Sequence, residues 1–241
     1  MFCGIDNPSI KGFEPSAGNG LLTIAGKPEQ FIVNEIDTIR NRNLQTQNFI
    51  TVTNEDATKE FKNYYRKFDA VITNPPFGRM EHKTSFDGFE FDTLDHVMAL
   101  RALETMNDNG RAAIIIGGHT TWDNLGRIQA GKNRIFFNYL YRHYYVCDVL
   151  QINGAKIYSR QGTSFDVRLI LIDGRKKHPI GAAPVYNAHY NYEIKTFDEL
   201  YNRSLSAWVA WQGLSIPVRL MNAAAEATFK GAGKFASTLA K

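Results

Sequence analysis

The sequence predicts a doubly wound α/β fold: a mostly parallel sheet of seven strands with an antiparallel edge strand, and a small lobe at the C-terminal end. Three observations carry that reading. Stretches rich in β-forming residues alternate with stretches of helical period, the pattern of strand–helix–strand units. Arg111 to Ile116 is a continuous apolar run, as expected for a strand buried on both faces. A glycine-bearing turn, Gly18 to Gly20, follows the first strand, where an open α/β sheet places its ligands.

Lys11-Gly12-Phe13 is a short strand opening into Glu14-Pro15-Ser16-Ala17-Gly18-Asn19-Gly20. Gln30 to Asn34 is a second strand, dense in β-formers. Ile36, Ile39 and Leu44 then form one stripe of a helix over Ile36 to Thr46. Asn48 to Val52 reads as a third strand, Ala57 to Tyr65 as a short helix and Phe68 to Thr73 as a fourth strand. Arg79 to Phe89 reads as a solvated loop, with His82 and Lys83 placed to close over a target or meet a phosphate. Asp92 to Met106 carries a broad apolar helical face, and Asn109-Gly110 reads as its C-cap.

Arg111 to Ile116 is the fifth strand, and Arg127 to His143 reads as a helix despite Gly131. Phe136, Phe137, Tyr139, Tyr141, Tyr144 and Tyr145 are the buried area of that helix and the strand after it. Tyr145 to Ile152 and Phe165 to Ile172 are the last two strands. A loop, Asn153 to Ser164, joins them in place of a helix, so they should pair antiparallel at the sheet edge. Beyond Gly174, Pro179, Pro184 and Pro217 interrupt the pattern. Residues 1–174 therefore read as the main domain and 175–241 as an accessory lobe, in which Trp208 and Trp211 take no assigned role.

Composition narrows the class. The chain has 241 residues, 44% hydrophobic and 22% charged, which excludes disorder as its main state. No apolar run approaches the ~18–20 residues of a membrane-spanning helix; none is longer than Ala112 to Ile116. The N-terminus lacks a basic stretch followed by an apolar segment, so no signal peptide is expected, and the chain reads as soluble and cytoplasmic. Two cysteines, Cys3 and Cys147, make neither a disulfide framework nor a cysteine zinc site. His119 has no companions at ligand spacing, so no metal is expected. With 28 Lys and Arg against 24 Asp and Glu, the charge of +4 permits a nucleic-acid partner without demanding one.

The chemistry-bearing residues recur at strand ends. The turn from Glu14 to Gly20 lets backbone approach a ligand, although alone it is also an ordinary strand-to-helix turn. Glu35 ends the second strand, where a carboxylate can accept both vicinal hydroxyls of a ribose. Asp37 competes for that role but also suits the start of a helix. Asp56 follows the third strand and also fits an N-cap. Three acids at three successive strand ends would line one crevice. The fourth strand ends in Asn74-Pro75-Pro76-Phe77-Gly78, a stiff loop with carbonyls that have no neighbouring N–H.

On these residues the chain resembles the S-adenosylmethionine-dependent amino-methyltransferases, particularly the DNA adenine-N6 methyltransferases. The family's order is a glycine loop, an acidic strand end, an aspartate, then [Asn/Asp/Ser]-Pro-Pro-[Tyr/Phe/Trp]. The similarity spans roughly Lys11 to Gly174, with its specificity in Glu14-Pro15-x-x-Gly18-x-Gly20 and Asn74-Pro75-Pro76-Phe77. It implies a Rossmann-like methyltransferase sheet, S-adenosyl-L-methionine as cofactor, double-stranded DNA as partner and a restriction–modification setting. It also implies roles. Glu14, Pro15, Ser16, Ala17, Gly18 and Gly20 would hold the methionine part of the cofactor, Glu35 its ribose and Asp56 the exocyclic amine of its adenine, with Ile36 and Ala57 also on the cofactor's side. Asn74 and the Pro75 carbonyl would accept hydrogen bonds from the amine being methylated, with Pro76 stiffening the loop and Phe77 stacking on a flipped-out base.

The sequence departs from the family in places. Only about a dozen residues precede the glycine loop, where the family usually carries a further cofactor-binding motif. The helix after Gly20 must be short, because Gly26-Lys27-Pro28 follows. Little room remains after Gly174 for a target-recognition domain, so an additional subunit or segment is an expected partner. The same motif serves RNA guanine-N2 and protein glutamine-N5 methyltransferases, the latter tending to have Tyr in place of Phe77. An incomplete module of a larger machine is the alternative from another class.

Overall fold

The computed structural model describes residues 2–158, 164–186, 192–207 and 209. Its centre is an eight-stranded sheet in the order β10-β8-β9-β7-β4-β1-β2-β3. The strands are β1 (Gly12–Glu14), β2 (Phe31–Asn34), β3 (Thr51–Thr53), β4 (Phe68–Thr73), β7 (Met106–Gly117), β8 (Tyr144–Ile152), β9 (Val167–Arg175) and β10 (Glu193–Ile194). β5 (Arg79–Phe86) and β6 (Phe89–Thr93) form a separate antiparallel hairpin. The helices are α1 (Thr38–Gln45), α2 (Leu94–Thr105), α3 (Lys132–His143) and the single turn α4 (Gly154–Ile157). Residues 197–207 are also helical.

β1 pairs in parallel with both β2 and β4, so the chain runs outward through β2 and β3 and then returns to the other side of β1. That reversal is the topological switch point at which open α/β sheets bind ligands. β7 extends the parallel order beyond β4. Two cores cover the two faces, and successive residues of each strand alternate between them. Val71 and Ile114 join Phe13, Leu103 and Phe136 on one face, while Ala70, Ile72 and Leu171 join Phe31, Leu44 and Ile152 on the other. Gly12 lies in a strand because a Cβ there would fall 2.2 Å from the ring of Phe31.

Several elements differ from the sequence reading. The sheet holds the seven expected strands and an eighth, β10, paired in parallel with β8. The antiparallel strand, expected at the edge, is β9, and it lies inside the sheet between β7 and β8. The loop at 79–89 is the β5–β6 hairpin, anchored by Phe86 and Phe91 against Tyr139. The helix expected over 57–65 is only a 3-10 turn, Lys62–Tyr64, because Phe61 and Tyr64 turn inward onto Phe13. Helix α1 starts two residues late, capped by Asp37, whose carboxylate accepts from the amides of Ile39 and Arg40.

The expected stripe of α1 is also absent: Ile36 and Ile39 are exposed, and Asn41 and Leu44 face inward. Asn109-Gly110 caps nothing, since α2 ends at Thr105 and β7 begins at once. There Gly110 fits against the Phe68 carbonyl, which a Cβ would approach to 2.8 Å. α3 begins only at Lys132, because Gly131 sits at φ 128° and Ile128 pairs back onto Trp122. Phe136, Phe137, Tyr139 and Tyr144 are buried as expected. Past Gly174, β9 continues to Arg175, and Arg203 clasps buried Asp148 through two hydrogen bonds of 2.7 and 2.9 Å. Trp208 and Trp211 lie outside the described residues. No helix among the described residues is long and apolar enough to cross a membrane.

Candidate functional site

The carboxyl ends of β1, β2, β3 and β4 open into one cleft of about 870 Å³. Of the residues singled out in the sequence, Glu14, Pro15, Ser16, Ala17, Gly18, Glu35, Ile36, Asp56, Ala57, Asn74 and Pro76 line it. The three acids meet there as expected. Gly20, Pro75 and Phe77 are not on its wall: Gly20 packs beside Leu44 and Gln47, Pro75 is buried, and Phe77 faces the other way. Gly18 and Gly20 adopt φ of 57° and 82°, the left-handed region that favours glycine.

The loop after β1 is held by its neighbours. The Gly18 amide donates to Glu35 Oε2 at 2.8 Å, and the Asp37 amide donates to Glu35 Oε1 at 2.8 Å. Arg40 lies 3.6 Å from the same carboxylate. The hydroxyls of Ser16 and Thr73 are 2.9 Å apart and tie the glycine loop to the end of β4. Asn34, which sequence reasoning passed over, holds three strand ends together. Its side-chain amide donates to the carbonyls of Pro15 and Glu55, and its oxygen accepts from the Glu55 amide and the Thr53 hydroxyl. Only its place at the end of a strand signalled it.

Charge in the cleft is unevenly satisfied. Glu14 is almost fully buried, and its Oε2 has no hydrogen-bond partner among the described residues. Burial, with the Glu35 charge nearby, pushes the Glu14 carboxyl well above the usual carboxylate range. Against the pull of burial, the hydroxyl and amide of Thr58 hold the Asp56 carboxyl below its ordinary value. The cleft thus offers one solvated acid at its mouth and one desolvated acid at its base.

Beyond Asn74 and Pro76 the same loop walls a second cleft of about 650 Å³, lined by Phe77, Thr93, Asp95, His96, Gly117 and Lys132 among others. The Phe77 ring, 43% exposed, lies against Gly117, where a Cβ would come within 3.1 Å of it. Gly117 is fixed from both sides. Its amide donates to Asp95 Oδ2 at 3.0 Å, and its carbonyl accepts from buried Arg168 at 2.7 Å. His96 stacks on Phe136 with ring centroids 4.0 Å apart, and burial lowers its pKa to about 3, so its imidazole is neutral. None of Thr93, Asp95, His96 and Arg168 stood out in the sequence, because each sits in an ordinary helical or strand context. His119, which had no companions by spacing, meets Asp166 and Glu193 in space, the three ligand atoms lying within 4.8 Å of one another.

No protein-family model matches the chain, and no curated protein matches it in sequence. Its likeness is to solved structures, and the fold they share is that of the S-adenosylmethionine-dependent methyltransferases. A Listeria monocytogenes protein placed in class I of those methyltransferases superposes with TM-score 0.56 at 11% identity, over 84% of this chain and 64% of its own. The M protein of the type I restriction enzyme EcoKI superposes with TM-score 0.54 at 16% identity over 82% of this chain. A protein from Vibrio vulnificus YJ016, described as a modification subunit of a type I restriction enzyme, gives 0.55 at 12% identity over 86%. The chain spans 49% of each of the last two, about half their length.

Proposed function

We propose that this chain carries an S-adenosylmethionine-dependent methyltransferase site acting on the N6 amino group of adenine in double-stranded DNA, with the base flipped out of the helix. One observation carries the reading: Asn74, just past the end of β4, lines a cleft with Glu14, Glu35 and Asp56, and Phe77, three residues on, lines a second cleft. The first cleft suits the cofactor in size, pockets for small molecules spanning ~300–1,000 Å³. Its chemistry also fits, because the unpartnered Oε2 of Glu14 meets the need of a cationic ligand for a desolvated acid.

S-adenosylmethionine, when bound, supplies an electrophilic methyl on a sulfonium. Glu14, Pro15, Ser16, Ala17 and Gly18 hold its methionine part in this proposal, and Gly20 shapes the turn behind them. Glu35, oriented by the Gly18 and Asp37 amides, takes the ribose hydroxyls beside Ile36. Asp56 and Ala57 take the adenine. Asn74 and the Pro75 carbonyl accept the two hydrogens of the target amine, which turns its lone pair away from the ring and towards the first cleft. Pro76 stiffens the loop, and Phe77 replaces the stacking lost on flipping. Such catalysis is mostly positioning and requires no strong base beforehand.

Residues 1–174 would form the methyltransferase domain and 175–241 an accessory lobe. A further segment or subunit would supply sequence recognition, as the type I restriction–modification proteins of similar fold make reasonable. The test is tritium transfer from labelled S-adenosylmethionine to unmethylated duplex DNA, followed by nucleoside digestion. Labelled N6-methyl-deoxyadenosine is the expected product. Label found only in RNA guanine or in protein glutamine would overturn the substrate, and failure of the folded chain to bind cofactor would overturn the site.

A further inference from the structure

Buried polar atoms are almost always hydrogen-bonded, so those left over ask for an explanation. Two of them, Thr93 Oγ1 and His96 Nδ1, belong to side chains on the wall of the Phe77 cleft, with Thr93 only 7% and His96 only 2% exposed. Thr93 occupies the N-cap of α2, where a threonine hydroxyl ordinarily accepts from the first helical turn; here it makes no such bond. His96 is held in place by its stack on Phe136, and its neutral imidazole carries one N–H to give. Asp95 is already committed to the Gly117 amide. At the mouth, exposed Lys132 has no ion pair among the described residues, whereas Arg79 is paired with Asp92.

We propose that Thr93 and His96 are the base-reading residues of this cleft, donating hydrogen bonds to the ring nitrogens of an adenine, with Lys132 meeting the phosphate beside it. This rests on reading the Phe77 cleft as the target pocket, and it names what the pocket selects. Adenine is the base whose ring carries acceptors on every edge and no ring N–H, beside an amine that donates. Two donors on the wall complement the ring acceptors of that arrangement. They leave thymine, with its ring N–H, mismatched, and a glutamine amide has no ring acceptor to receive them.

The test uses the full chain saturated with S-adenosylhomocysteine, which fills the first cleft, and single-stranded heptathymidylate with or without one central adenine. Binding is read by fluorescence anisotropy and by the ring resonances of His96. The adenine-bearing strand should bind at least about five-fold tighter and shift the His96 signals, one hydrogen bond being worth a few-fold to ten-fold. Replacing that adenine by 7-deazaadenine or 1-deazaadenine should abolish the advantage for at least one of the two analogues. Thr93→Val keeps the shape, His96→Phe keeps the stack, and each should lower the adenine advantage while leaving heptathymidylate binding unchanged. Lys132→Ala should weaken both strands alike. Equal affinity for the two strands, or an adenine advantage untouched by both variants, would overturn the assignment. If S-adenosylhomocysteine itself fails to bind while adenine still shifts His96, the cofactor reading falls and the base pocket stands.

Discussion

At the scale of single residues, the proposed function divides the site between groups that would serve a cofactor and groups that would serve a target. Asn74 is exposed, lines the first cleft and makes no side-chain hydrogen bond among the described residues. Asn74→Ala should therefore reduce methyl transfer by at least ~100-fold, as loss of a positioning donor or acceptor does, while cofactor affinity changes only a few-fold. Transfer assays and calorimetry on the same variant check it; parallel loss of both would contradict the role. Glu14 belongs to the other group. Its carboxyl ionises at higher pH in the folded chain than in the unfolded one, because burial and Glu35 disfavour the anion. The folded state then retains a proton that the unfolded state gives up. The Glu14 contribution is fully present below the ordinary carboxylate range and is lost as pH rises towards the folded value. Glu14→Gln should accordingly be more stable than the wild type at pH 7.5 and should lose that advantage by pH 4, as read from urea midpoints. A constant difference across pH would show that Glu14 is not the desolvated acid.

At the scale of elements, the strand ends are held by side chains that carry no chemistry of their own. Asn34 bridges the loops after β1, β2 and β3 through four hydrogen bonds. Asn34→Ala leaves several buried backbone groups unpaired and should cost about 3 kcal/mol. It should also weaken cofactor binding, with thermal denaturation and calorimetry as the two measurements. Loss of stability without loss of binding would show that the loops hold their shape unaided. The sequence made most of the site legible because strand ends and turn residues are local signals: Glu14, Glu35, Asp56 and Asn74 each follow a β-rich stretch, and the sheet brings their ends together. It hid Asn34, Thr93, His96 and Arg168, whose meaning is set by partners distant in the chain. The β5–β6 hairpin was hidden for a related reason. Most residues from Arg79 to Ser85 are exposed, so the strand shows no apolar alternation, and only Phe86 and Phe91 seat it. β10 is two residues long, below what any period can register.

At the scale of the whole molecule, the two clefts draw neighbouring residues from the loop after β4 and from the start of α2, and their independence can be measured. The first cleft draws its walls from four strand ends across the centre of the sheet, so a ligand there should stabilise the fold as a unit. S-adenosylhomocysteine at 100 times its Kd should add ~2.7 kcal/mol and raise the midpoint of thermal unfolding by about 5–10 °C. Glu35→Ala removes both the proposed ribose contact and the acceptor for the Gly18 amide, and should abolish most of that rise. Phe77→Ala should preserve it, since Phe77 lines only the second cleft, yet it should lose methyl transfer through lost stacking on the base, a contact worth ~1–3 kcal/mol. A Phe77 variant that forfeits the thermal rise would mean that the two clefts are one site. Retention of the rise with loss of transfer is the expected outcome, because the two clefts have different linings and meet only through neighbouring residues of the Asn74–Gly78 loop and of the start of α2.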